Sequence, residues 1–91
     1  RKEMMREGTC AVVALPGGVG TLDEMIETHT LKKLARYQGE IFVLNLGGFY
    51  DPLAGLLDYY VQTEMLDKAS RDMVRFASSV QELMDMLVEL K

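Results

Sequence analysis

A continuous apolar run that stops dead against glycines constrains this chain more than anything else in it. Thr9 to Leu15 (TCAVVAL) offers apolar side chains to both faces of a strand, and Pro16-Gly17-Gly18-Val19-Gly20 follows at once. A run this short, apolar on both faces and ended in this way, predicts a strand buried within a parallel sheet. Thr21-Leu22-Asp23-Glu24 then has the spacing of a capping box, with Thr21 as the cap and Glu24 closing it. The helix it opens is expected to carry Leu22, Met25 and Ile26 on one face and to end near Gln38-Gly39. Ile41 to Leu46 (IFVLNL) predicts a second buried strand, closed by Gly47-Gly48. Strand, helix and strand with short connections make a βαβ unit, for which a right-handed crossover is the rule.

Two further helices and a short strand complete the order. Asp51-Pro52 reads as an N-cap followed by proline at the first helical position. Leu53, Leu56, Leu57, Tyr60 and Val61 then form an amphipathic stripe. Met73 to Ala77 (MVRFA) suits a short edge strand, and Ser79 with Glu82 makes a second capping box. Val80, Leu83, Met84, Leu87 and Val88 repeat the helical stripe. The expected class is α/β: three strands with flanking helices, the C-terminal half of a Rossmann-like doubly wound parallel sheet, in one partial domain over 1–91. Arg1 to Gly8 reads as a helix with a glycine stop and no start signal. A strand at 10–15 without earlier strands would also expose an unpaired edge. Missing N-terminal strands or a partner are therefore expected.

Composition narrows the function classes. Ten Lys and Arg against fourteen Asp and Glu leave a net charge of −4, which argues against a nucleic-acid footprint. One cysteine cannot form an internal disulfide, so a cytoplasmic location is expected. Apolar runs of about six residues are far short of the roughly 20 that a membrane span needs. No cluster of His, Cys and Asp has metal-ligand spacing, so no metal is expected.

Chemistry concentrates in Pro16-Gly17-Gly18-Val19-Gly20-Thr21-Leu22-Asp23-Glu24. Glycines between a strand's carboxyl end and a helix N-terminus let peptide N–H groups approach and hold a phosphate. No Gly-Lys-Ser/Thr follows, so this is not a Walker loop, and Gly18-x-Gly20 lacks the third glycine of a dinucleotide fingerprint. A mononucleotide-type phosphate loop with carboxylates close behind it remains, beside the plainer reading of a tight strand-to-helix turn.

Arg1-Lys2 followed after one strand by PGGVGTLDE resembles the paired motifs of the Lonely Guy family, whose loop pattern PGGxGTxxE matches at every fixed position. The resemblance runs over nearly the whole chain, including the GGFYDPL turn and both later helices. It implies a phosphoribohydrolase that splits an adenine or N6-modified adenine nucleoside 5′-monophosphate, AMP or a cytokinin riboside monophosphate, into free base and ribose 5-phosphate. By the same resemblance Arg1 and Glu24 are the catalytic pair. Lys2, Gly18, Val19, Gly20, Thr21, Leu22, Asp23 and Thr30 are the nucleotide-contacting positions. A homodimer with sites near the subunit interface is also implied, and the 91 residues alone are expected to be inactive because half the pocket would lie outside them.

The chemistry is reasonable in itself and needs no redox cofactor. Cleavage of a ribosyl N-glycosidic bond passes through an oxocarbenium-like state, which a carboxylate near C1′ stabilises while it orients water. Arg1, fork-shaped and always charged, suits phosphate or ribose oxygens. A decarboxylase using pyridoxal phosphate would need a Schiff-base lysine, and the loop has none. The rival is a nucleotide- or molybdenum-cofactor-binding carrier of the same fold, which needs the loop but not Glu24. Plainer readings stand beside several residues: Glu24 as part of a helix cap, Asp23 as a charge at the helix dipole, His29 as a packed or interfacial histidine, Cys10 as a small core residue. Asn45 to Tyr50 is either one wall of a base pocket or a simple strand-to-helix turn.

Overall fold

The middle strand shows why the chain folds as a two-faced sheet. The computed structural model describes residues 11–89, and within them Glu40–Leu44 forms β2 with Ile41, Phe42, Val43 and Leu44 all buried. Side chains alternate across a strand, so Ile41 and Val43 face one layer while Phe42 and Leu44 face the other. Ala11–Ala14 forms β1 and Val74–Ala77 forms β3, both parallel to β2, in the order β1-β2-β3. The register pairs Val12 with Ile41 and Ile41 with Val74. Helix α1, Val19–Lys33, and helix α2, Asp51–Gln62, contribute Met25 and Leu57 to the layer of Ile41 and Val43. The short helix α3, Lys68–Arg71, leads into β3. Helix α4, Val80–Val88, buries Leu83 against Phe42, Leu44 and Ala77 on the opposite face. Helices on both faces of an all-parallel sheet make this an α/β fold, with the carboxyl ends of the strands at one edge.

Several local expectations are corrected. Helix α1 starts at Val19 rather than behind Thr21, with Gly18 as its N-cap in an extended conformation and no side chain bonding to the first turn. Thr21 therefore lies inside the first turn, its hydroxyl beneath Gly17, where a Cβ on Gly17 would sit 2.6 Å from Thr21 Oγ1. Glu24 is a turn too late to close a capping box. The same helix ends at Lys33, well before Gln38-Gly39. Arg36 N–H donates to the Leu31 carbonyl and Ala35 N–H to that of Lys32, with Ala35 left-handed at φ +60°. This is a Schellman motif carrying alanine where glycine is the usual stop.

Ala35 thus occupies a conformation that costs an L-residue about 1–2 kcal/mol. Ala35→Gly is expected to stabilise the fold by about 0.5–1 kcal/mol, after the greater freedom of unfolded glycine is subtracted. A urea midpoint moved upward at unchanged slope would show it.

The second strand ends at Leu44, and Leu46–Gly48 turns as a short 3-10 helix with Gly47 and Gly48 at positive φ. Tyr50, not Asp51, is the N-cap of α2, so Asp51 and Pro52 are its first two residues. Of the predicted α2 stripe Leu57 is buried, Leu53 and Val61 are half-buried, and Leu56 and Tyr60 are exposed. On α1 only Met25 of the expected trio is buried, and on α4 Val80, Met84 and Val88 face outward. The Ser79 cap is present: its Oγ accepts from Glu82 N–H at 3.1 Å, while Glu82 Oε1 accepts from Ser78 N–H at 2.6 Å, one residue earlier than a capping box requires. That bond, with the Ser78 hydroxyl, holds the Glu82 carboxyl below its usual range. Cys10 and the expected helix of Arg1 to Gly8 lie outside the described residues.

Candidate active site

The glycine loop leaves the carboxyl end of β1 and enters α1 with Leu15, Pro16, Gly17 and Gly18 all exposed. Because the N-cap is a glycine, it offers the N–H groups of the first turn no capping side chain. A Cβ built on Gly18 or Gly20 would meet nothing within 4 Å, so the fold itself asks for glycine at neither position. Gly17 differs, since the Thr21 side chain fills the space a Cβ there would take.

Beside the loop lies a cavity of about 440 Å³. Gly17, Gly18, Val19 and Leu22 form one wall; Phe49, Tyr50, Pro52, Leu53 and Leu56 form the other. The turn after β2 therefore does wall a pocket together with the glycine loop. The sequence offered Asn45 to Tyr50 as one possible wall of a base pocket, but not Pro52, Leu53 or Leu56. The available signal was position: GGFYDPL follows the second strand at the sheet edge where the loop follows the first.

A network of hydrogen bonds shapes that turn. Asn45 Oδ1 accepts from Tyr50 N–H at 2.5 Å, and Asn45 Nδ2 donates to Asp51 Oδ1 at 2.8 Å. Tyr50 crosses the cavity floor to donate its hydroxyl to the Leu15 carbonyl at 2.7 Å. Burial pushes the Tyr50 phenol above its usual range, the nearby Gly17 N–H pulling the other way. The Phe49 ring stands edge-on to Tyr50 with centroids 4.9 Å apart.

Of the predicted site positions, Gly18, Val19 and Leu22 line the cavity, while Gly20 and Thr21 belong to the open first turn. Asp23 is exposed, and Thr30 is exposed with its hydroxyl turned back on the Ile26 carbonyl at 3.1 Å. Glu24 does not line the cavity. It is only 4% exposed and lies about 200° around α1 from Leu22 at 100° per residue, on another flank of the helix. Thr28 beside it donates to the Glu24 carbonyl at 2.8 Å. Arg1 and Lys2 lie outside the described residues. His29 is buried, and its Nε2 donates to the Ser70 carbonyl at 2.8 Å, which matches the packed histidine expected and locks α1 to α3. Asp67 caps α3, where the Ser70 hydroxyl, then the Ser70 N–H, draws its carboxyl below the usual range. Among the described residues no group of His, Cys, Asp and Glu converges as metal ligands would, and no helix is long and apolar enough to cross a membrane.

Comparison with known proteins places this geometry in a family. A family model described as "possible lysine decarboxylase" matches residues 1–87. A probable cytokinin riboside 5′-monophosphate phosphoribohydrolase of Oryza sativa subsp. japonica is 36% identical over 98% of this chain and 42% of its own length. Cytokinin riboside 5′-monophosphate phosphoribohydrolases of Arabidopsis thaliana and of Oryza sativa subsp. japonica are 33% and 35% identical, each over 98% of this chain. They are matched over 41% and 37% of their own lengths, so the chain spans about two fifths of these curated relatives. With its loop intact and its match nearly end to end, the chain belongs to the Lonely Guy family, which the possible lysine decarboxylase model describes.

Proposed function

We propose that the protein hydrolyses the N-glycosidic bond of an adenine or N6-modified adenine nucleoside 5′-monophosphate, yielding free base and ribose 5-phosphate. The observation that carries this reading is the pairing of an open glycine loop with a buried carboxylate: Gly18 and Gly20 face empty space at an uncapped helix start, and Glu24 is buried further along the same helix. The names of the relatives point to the same reaction. Peptide N–H groups of the first turn of α1 take the 5′-phosphate, where the helix dipole favours an anion. Glu24 lies five residues beyond Val19, roughly 7.5 Å along the axis, on the flank of α1 away from the cavity, so a ribose that meets it runs from the first-turn N–H groups along that flank. Its negative charge stabilises the oxocarbenium-like state as the base departs and orients the attacking water. Arg1 and Lys2 supply positive charge to the phosphate and ribose oxygens.

The protein, with any natural flanking sequence included, is to be incubated with AMP, with a cytokinin riboside monophosphate and with the matching nucleosides. Base released from the monophosphates alone is the expected result. Tight binding without release would favour the carrier reading, and equal release from nucleosides would remove the phosphate grip. We also expect a homodimer, because Val80, Met84 and Val88 expose an apolar stripe along α4, outside the cavity.

The loop yields a second prediction. Gly20 is the second residue of α1, where alanine is favoured over glycine by up to about 1 kcal/mol. Gly20→Ala is therefore expected to raise thermal stability slightly while raising KM for the monophosphate about tenfold, because the methyl group enters the phosphate's space. Paired melting curves and steady-state kinetics would detect this opposition.

A further inference from the structure

We propose that Tyr50 is a positioning residue for the glycine loop: its hydroxyl holds the Leu15 carbonyl, and with it the peptide groups that receive the phosphate. The proposal rests on the reading of that loop as a phosphate site. Leu15 and Tyr50 are far apart in sequence, yet the Oη–O distance is 2.7 Å and the Tyr50 ring is buried beneath the loop. The ring is itself fixed. Tyr50 N–H is held by Asn45 Oδ1, the Asn45 side-chain amide is held by Asp51, and Asn45 N–H donates to the Ala77 carbonyl at 2.7 Å. A line of hydrogen bonds therefore runs from β3 through the β2–α2 turn to the residue just before Pro16.

The loop has little else to hold it among the described residues. Leu15 through Gly20 are exposed, and a Cβ on Gly18 or Gly20 would meet no atom within 4 Å; the other ties are the Thr21 side chain against Gly17 and the Leu22 N–H on the Gly18 carbonyl at 3.2 Å. A phosphate site made of peptide N–H groups binds well only if those groups are already aimed, since ordering them on binding lowers affinity. Removing the tie should thus loosen the receptor without touching the reacting atoms. The Leu15 carbonyl can take water instead, because that residue is solvent-exposed, so the core is spared.

Tyr50→Phe keeps the ring and removes only the hydroxyl. In the whole protein, amide hydrogen exchange at residues 17–20 is expected to quicken about fivefold to tenfold, the loss of one hydrogen bond, while β2 stays protected. KM for the nucleoside monophosphate is expected to rise about fivefold with kcat changed less than about twofold. Unchanged exchange at 17–20 would overturn the proposal, as would faster exchange with KM unaltered, or a fall in kcat at constant KM. If the wild type releases no base from any monophosphate, the reaction proposed above is wrong. The exchange comparison then decides the clamp alone, repeated with saturating ribose 5-phosphate: protection of the loop by that ligand in the wild type and its weakening in the variant support it, and equal exchange in both overturns it.

Discussion

Phe42→Ala is expected to destabilise the fold by about 3–5 kcal/mol, enough to leave much of a small domain unfolded at physiological temperature. Phe42 sits at the centre of β2 with no exposed surface, between two parallel neighbours and beneath α4. Its ring is the largest side chain of the second layer, with Leu44, Ala77 and Leu83 as buried companions and Ala11, Val13, Met86 and Leu87 packed against them. The Arg75 guanidinium lies 5.1 Å from the ring centroid and closes the open side. Truncation leaves a cavity that neither strand can collapse into, because both are pinned by their ladders. Arg75→Ala removes only a partly exposed cation from the same ring and should cost about 1 kcal/mol or less. Urea unfolding of the two variants checks the contrast: equal losses would mean that the layer is held by the ion and not by packing. By the usual scaling, the Phe42 change lowers Tm by roughly 15–30 °C.

That layer was legible in the residues alone, and the reason is physical. Ile41 to Leu44 is apolar at successive positions, which only a strand covered on both faces can bury, and the glycines after the first two strands marked the turns. Helix ends were harder to read. The capping box over Thr21 to Glu24 had the right residue types, yet the helix begins earlier because glycines at 17 and 18 leave the backbone free to turn sooner and Val19 and Gly20 are taken into the helix. At the other end a left-handed alanine stands where glycine normally signals a stop, so local composition carried no mark of it. The exposed apolar residues of α2 and α4 show a related limit. Periodicity marks which positions share a helix face, but not whether the sheet is broad enough to cover that face.

Candidate site residues were legible for a different reason. The loop's glycines and Glu24 stand out by spacing, while the far wall of the cavity stands out only in part: Asn45 to Tyr50 reads equally well as a pocket wall or a plain turn, and Pro52 to Leu56 reads as ordinary helix-entry packing. Asn45 and Tyr50 show how much of such a site is tertiary: neither has a chemical signature until the strands bring the two turns within hydrogen-bond reach.

Glu24→Gln is expected to fold and to lose hydrolysis by about 10²–10⁴-fold, or roughly 3–5.5 kcal/mol of transition-state stabilisation. The fold sharpens this test by removing the simplest alternative role. Glu24 does not cap α1, because the helix begins at Val19 and Glu24 stands in its second turn. Glu24 is 4% exposed on a helix flank, and carboxylates are seldom buried there unless they are paired or put to use. Glutamine preserves the volume and the hydrogen-bonding oxygen but carries no charge, so it separates electrostatic stabilisation of an oxocarbenium-like state from packing. If the side chain serves only the fold, the variant should lose about 1–3 kcal/mol of stability, and each folded molecule should still release base. If it serves the reaction, melting should change little while kcat collapses and binding of ribose 5-phosphate at the loop persists, since the first-turn N–H groups are untouched. Glu24→Asp draws the carboxylate back by one methylene and should recover part of the rate, which glutamine cannot do at any concentration of substrate. Turnover by folded Glu24→Gln within a factor of about two of the wild type would take Glu24 out of the mechanism, and would leave Asp23, exposed on the neighbouring flank of the same helix, as the carboxylate to test.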